Sequence, residues 1–296
     1  MQGFTTFVSG LSFAECPRWH EGRLYFSDFY THRVLSAGMD GTVETVAHVP
    51  GQPSGLGFLP DGRLLIVSMR DRRILRREPD GRLVEHADLS KLAPWHVNDM
   101  VVDEAGRAWV GNFGFDLMGG AAASTTVLVC VEPDGKARVA ADGLGFPNGM
   151  VITPDGKTLI VAETTMNRLS AFTICEGELS ERRTWAAFGD APSTTNVAEI
   201  VRRAEVLPDG ICLDAEGAVW VADAAHGRLV RVAEGSGIVE ELKAEEGGVF
   251  ACMLGGEDGR TLFACAAPTF AEAEASAQHR ASIVMTRVKT PHAGRP

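Results

Sequence analysis

One phrase recurs along the chain: a turn containing glycine, then a small or basic residue, then a hydrophobic run. It reads HEGRLYFSD, PDGRLLIVS, EAGRAWVGN, PDGKTLIVA, AEGAVWVAD and EDGRTLFAC. Its glycines, Gly22, Gly62, Gly106, Gly156, Gly217 and Gly259, are spaced by 40, 44, 50, 61 and 42 residues. Units repeated at such intervals bury their apolar faces against one another rather than alone. A spacing near 40 with loop insertions suits one blade of a β-propeller.

The remainder of each unit agrees. An apolar run such as GLGFL or MVIT precedes the turn, and a further hairpin follows, as in RILRREPDGRLVEHA and RLVRVAEGSGIVEEL. Asp-Gly and Glu-Gly pairs supply the positive φ that tight hairpins need. The expected fold is all-β: a six-bladed β-propeller of four-stranded antiparallel blades. The last unit lacks an outer strand after SIVMTRV, and FTTFVSG near the N-terminus can supply it and close the ring. Short helices are expected at 196–206 and 270–281. No linker or composition break divides residues 1–296, which reads as a single propeller domain, with a two-domain β protein as the alternative. The 33 glycines, about 11% of the chain against roughly 7% in ordinary proteins, become a repeat signal. Gly41, Gly81, Gly135 and Gly177 mark outer hairpins. Gly55, Gly149 and Gly210 are expected to leave room for metal and substrate.

Composition narrows the function. A net charge of -11 disfavours nucleic acid, which needs a basic surface. No window approaches a membrane-spanning apolar length and the N-terminus has no signal-peptide pattern. Six cysteines form no CxxC pair. Cys130, Cys175, Cys212, Cys252 and Cys265 lie in apolar runs and read as buried free thiols, so a cytoplasmic location is expected.

The repeat also aligns the chain with itself. Eight residues before the turn glycines stand Ser54, Asn98, Asn148, Asp209 and Ala251, with Glu15 seven before Gly22. These positions begin the innermost strands and converge on the central channel. Pro-Ser-Gly, Pro-Asn-Gly and Pro-Asp-Gly also read as plain tight turns. Turns do not explain two carboxylates and two amides facing one axis, which repel or go unsatisfied without a partner. A divalent cation in the channel is that partner: Glu15 and Asp209 bring charge, Asn148 a carbonyl oxygen, and Asn98 another directly or through water. An all-oxygen set suits Ca²⁺, Mg²⁺ or Mn²⁺, with Ca²⁺ favoured and Zn²⁺ less so. A second ring, Asp28, Ser68, Asn112, Glu163 and Asp223, borders the same mouth, as ordinary loop polar groups or as supporting and substrate contacts.

The phrases AECPRWHEGRLYFSD, VNDMVVDEAGRAWVGN, PNGMVITPDGKTLIVAE and LPDGICLDAEGAVWVAD resemble the gluconolactonase, senescence marker protein and luciferin-regenerating enzyme family, over roughly Glu15 to Val288. The resemblance implies a six-bladed propeller with a divalent cation held by Glu15, Asn148 and Asp209, and a substrate-contacting Asn98. His96 and Asp99, which flank Asn98, are further candidates for substrate contact. The chain departs from the family pattern in carrying Cys16 where Glu-Gly-Pro is usual. It also has His96 where sugar-lactonase relatives often have Arg, and an apolar segment, FGFDLMGGAAAS, after Asn112. These departures point away from a simple aldonolactone.

The expected function is metal-dependent lactone hydrolysis: the cation polarises the carbonyl and activates water, Asp209 and Asn98 are catalytic, and His96 is a candidate proton relay. Two alternatives remain open: another ester, organophosphate or non-hydrolytic reaction on the same site, and a non-catalytic ligand-binding propeller. No Gly-x-Ser-x-Gly elbow, His-Glu-x-x-His or phosphate loop is present. The substrate is a small molecule, and the oligomeric state is open.

Overall fold

The computed structural model describes residues 3–244 and 247–294. Both ends of the single-domain reading, 1 and 296, therefore lie outside the described residues. The six repeat glycines adopt φ between +70 and +84°, the left-handed turn conformation the spacing demanded. Each joins the inner two strands of a blade.

The strands form six four-stranded antiparallel sheets in a ring, a six-bladed propeller. Five sheets follow chain order. The sixth mixes both ends of the chain: its outer strand is Thr5–Leu11, paired with Ala281–Arg287, then Thr261–Ala267, then Gly248–Gly255. Thr5 stands opposite Met285 and Leu11 opposite Ala281, so the ring closes as the sequence predicts. Among the described residues two short α-helices interrupt the strands, α1 (Val197–Arg203) and α2 (Glu272–Gln278), both inside the expected spans and shorter than them. Asn196 caps α1 by accepting the Glu199 amide. No helix among the described residues is long and apolar enough to cross a membrane.

The innermost strands are Ala14–His20, Pro53–Phe58, Val97–Val102, Pro147–Ile152, Pro208–Leu213 and Gly248–Gly255. The blades bury Trp109, Trp220, Phe26, Phe263 and Leu65 almost completely between them. Gly149 shows how closely neighbouring inner strands approach. A Cβ there would stand 2.5 Å from the Ile211 nitrogen and 2.6 Å from the Asp209 carbonyl oxygen. Gly55 and Gly210 face the next blade in the same way, at 2.7 Å from the Asn98 carbonyl oxygen and 2.6 Å from the Ala251 Cα. The expectation that these glycines leave room for metal and substrate is therefore corrected: the space is filled by the adjacent backbone.

The second ring also takes a different role from substrate contact. Asp28 accepts the Ser12 and Phe13 amides at 2.9 Å, Glu163 the Gly145 amide at 2.8 Å, and Asp223 the Leu207 amide at 3.0 Å. Each buried carboxylate thus ties down the chain entering its own blade. Asn112 accepts from the Thr126 hydroxyl and donates to the Val127 carbonyl. Ser68 is buried, and its hydroxyl has no hydrogen-bond partner among the described residues. One cysteine is also corrected. Cys175 is exposed at the end of its strand, beside the Glu176–Gly177 turn, whereas Cys130, Cys212, Cys252 and Cys265 are buried free thiols as expected, and so is Cys16.

Candidate functional site

The pairing of every innermost strand with its neighbour slips once, at the same place in blades two to five, one residue later in the first and one residue earlier in the sixth. It lies between Glu15 and Arg18, Pro53 and Leu56, Val97 and Met100, Pro147 and Met150, Pro208 and Ile211, and Val249 and Ala251. A bulge re-aims the side chains it contains. Asn98, Asn148 and Asp209 lie inside their bulges and Glu15 at the edge of its own, and all four line one axial cavity of about 170 Å³.

The polar side chains form a continuous chain around the axis. The Ser54 hydroxyl donates to Asn98 Oδ1 at 3.0 Å, Asn98 Nδ2 donates to Asn148 Oδ1 at 2.8 Å, and Asn148 Nδ2 donates to the Thr164 hydroxyl at 3.2 Å. Thr164 in turn donates to the Pro208 carbonyl at 2.8 Å, just before Asp209. This chain orients both amides, since each oxygen accepts from one neighbour and keeps a second lone pair.

The two carboxylates are poorly matched to their surroundings. Burial pushes Glu15 up to about 8, and Asp99 adds to the rise, while the Cys16 amide and Arg18 pull the other way. Burial also lifts Asp209 well above the usual carboxylate range, and the charges of Glu15 and Asp99 lift it further. Neither Glu15 nor Asp209 makes an ion pair among the described residues. Buried, mutually repelling carboxylates beside an oriented amide oxygen fit a hard divalent cation, which neutralises both. No group of three or more His, Cys, Asp or Glu side chains suited to a metal gathers among the described residues. The candidate set has two carboxylates completed by an amide.

Asp99 and His96 stand elsewhere than expected. Asp99 occupies the bulge position that is glycine in three blades, and its carboxylate turns to Arg18 at 2.7 Å, with both side chains buried. It is not among the described residues that line the cavity. Burial raises its carboxyl against the pull of Arg18. Cys16, in the same position of the first blade, has φ +50° and sits 3.7 Å from the Ser54 hydroxyl. Burial pushes its thiol well up, which leaves it unreactive. His96 stacks on Trp95 with ring centroids 5.1 Å apart and faces Phe113 at 6.1 Å, outside the cavity. Burial lowers its imidazole, helped by Arg70.

The cavity wall went unread in the sequence, although the same repeat marks it. In the first, third, fourth and fifth blades, the residues two before the axial position are Phe13, His96, Phe146 and Leu207, and those directly after the second-ring position are Phe29, Phe113, Thr164 and Ala224. A backbone hydrogen bond joins the two positions in each blade: Phe29 to Phe13, Phe113 to His96, Thr164 to Phe146, and Ala224 to Leu207. Apart from His96, all of them line the cavity. Extending the self-alignment by these two columns finds four of the wall phenylalanines, Phe13, Phe29, Phe113 and Phe146, but not Phe250.

Fold and site together define a propeller with a small-molecule cavity on its axis. A family model described as the SMP-30/Gluconolactonase/LRE-like region matches residues 13–267, and the chain belongs to this family. Among its relatives, a pentonolactonase of Haloferax volcanii is 31% identical over 216 residues, 70% of this chain and 65% of the relative, so the chain spans just under two thirds of that protein's length. A 6-deoxy-6-sulfogluconolactonase of Pseudomonas putida is 26% identical over 95% of this chain and 93% of its own. In fold the chain is similar to a luciferin-regenerating enzyme, with TM-score 0.81 at 17% identity over 99% of this chain and 97% of that one. It is likewise similar to a gluconolactonase of Xanthomonas campestris, with TM-score 0.73 at 24% identity over 98% and 89%.

Proposed function

We propose that this chain is a divalent-cation-dependent lactonase, that its reaction takes place in the axial cavity, and that residues 1–296 act as one catalytic domain. The observation that carries the reading is the convergence of two unpaired buried carboxylates and two oriented amides on one small cavity. The lactonase names of two relatives support the bond type. Glu15, Asn148 and Asp209 hold the cation, and Ca²⁺ is the ion their oxygens favour. When bound, it supplies Lewis-acid polarisation of the lactone carbonyl.

The chain's own residues do the rest. Asn98 is held by Ser54 and Asn148, and its amide orients the substrate. Asp209 orders the attacking water, takes its proton at a carboxylate oxygen as the new C–O bond forms, and returns it to the ring oxygen as the lactone C–O bond breaks. The phenylalanine wall excludes bulk water, which strengthens each polar contact inside. Asp99, through Arg18, fixes the bulge that carries Asn98. His96 backs Phe113 rather than relaying protons. The six free cysteines support a reducing, cytoplasmic setting. Hydrolysis of lactones by the native chain and Asp209→Ala, each with Ca²⁺ and with chelator, tests the reading. Loss of turnover in chelator and in the variant is expected; full cation-dependent turnover by Asp209→Ala overturns it.

A further inference from the structure

Within the lactonase reading, we propose that the substrate is an apolar lactone, its ring bearing alkyl or aryl groups, and not a polyhydroxylated sugar lactone. Beyond the axial cup the cavity is walled by Phe13, Phe29, Phe113, Phe146 and Phe250. The hydroxyls in this wall are largely committed. Tyr30 donates to the Phe270 carbonyl at 2.5 Å, and Thr164 is bonded to both Asn148 and the Pro208 carbonyl. Thr165 is the one further hydroxyl among the described lining residues. A sugar lactone entering this space loses water from several hydroxyls and finds few partners for them, at a cost of about 1–3 kcal/mol each. An apolar substituent meets no such cost.

The opening carries the same signature. Of eight large apolar side chains exposed on the described surface, three stand at this one rim: Met118, Val201 and Phe270. They come from three separate insertions: the segment between strands Ala108–Asn112 and Thr126–Val131, helix α1, and the segment leading into α2. The first two insertions are what stretch the repeat spacing to 50 and 61 residues. Three unrelated insertions meeting in apolar residues over a polar cup match a ligand that is polar at one end only. Size agrees: a cavity of roughly 150 Å³ holds a benzene ring, and this one is about 170 Å³. A single ring fills the interior, and a substituent lies along the rim.

The experiment compares δ-lactones sharing one ring, an alkyl series of increasing chain length and an aldono-1,5-lactone, on the Ca²⁺-loaded protein. We expect kcat/KM to rise about fourfold per methylene, which is ~0.8 kcal/mol, and the aldonolactone to be at least about 100-fold poorer. A parallel calorimetric titration uses the unreactive lactams of the same compounds, so that substrate class is read without turnover. Alkyl lactams binding well ahead of the sugar lactam, with no lactone hydrolysed, upholds the class and defeats the hydrolase reading. A sugar lactam that binds as tightly as the alkyl lactams overturns the proposal. Phe270→Ser and Met118→Ser flatten the chain-length dependence, while Val139→Ser, an exposed apolar position on the outer strand of the third blade, preserves it. A dependence unchanged in both rim variants also overturns the proposal.

Discussion

Asn98 donates its side-chain amide to the side-chain carbonyl of Asn148 at 2.8 Å, across the junction of the third and fourth blades. Asn98 also accepts from Ser54, so one amide links three blades at the axis. In Asn98→Ala the Ser54 hydroxyl and Asn148 carbonyl each lose a partner in a buried site. We expect a loss of about 1–3 kcal/mol in urea unfolding. Calcium affinity also falls in calorimetric titration, because Asn148 is no longer oriented.

Asp209→Asn separates charge from shape. Without a cation, folding near neutral pH must take protons onto the buried Asp209 and Glu15, and Asp209→Asn removes part of that cost, so the variant melts above the native chain in chelator. In excess Ca²⁺ the order reverses. A ligand at 100 times its Kd adds about 2.7 kcal/mol to the native chain, several degrees in Tm, and the variant forgoes most of this. A native chain that melts higher in both conditions would count against the cation site.

Acid sensitivity is expected at a distance from the axis. Burial alone would raise Glu163, but Arg168, Ser170, the Gly145 amide and Arg182 together hold it below the usual value of 4.5. A carboxyl depressed in the folded state adds stability above its unfolded value and loses it as pH falls through the folded one. Glu163→Gln is therefore expected to cost about 3 kcal/mol at pH 7. The gap to the native chain narrows below pH 4.5, as measured by denaturant melts across pH.

Two glycines give opposite outcomes. Gly149→Ala drives a methyl against the Asp209 and Ile211 backbone, so it destabilises by about 1–3 kcal/mol or more and weakens Ca²⁺ binding. Gly156→Ala has open space and only its φ of +70° to resist it, so it costs about 1 kcal/mol and leaves Ca²⁺ affinity unchanged. Stability and calcium titrations of the pair test this.

The ring and its axis were legible because each blade repeats one hairpin, and counting back eight residues from Gly62, Gly106, Gly156 and Gly217 fell inside the same bulge. Contacts between blades were not legible from a count along one blade. Asp99 shares the bulge with Asn98, yet its side chain leaves for Arg18, 81 residues earlier. Gly149 reads as leaving room for metal and substrate until the backbone of the fifth blade is placed beside it. Asp28, Glu163 and Asp223 read as mouth residues because strand ends do lie there; their side chains face back toward the entering chain. The wall phenylalanines hid for another reason: apolar residues near strand ends look like ordinary core.

The pairing of Thr5 with Met285 also governs how the molecule is made. On a ribosome the first strand emerges early and has no partner until nearly all of the chain has been synthesised. Five blades can pack in order of appearance, but the sheet holding both ends is completed last. Closing a loop of this length is slow, so during synthesis the unfinished ring exposes two open edges that invite pairing with other chains. Shortening the chain at either strand leaves that exposure permanent.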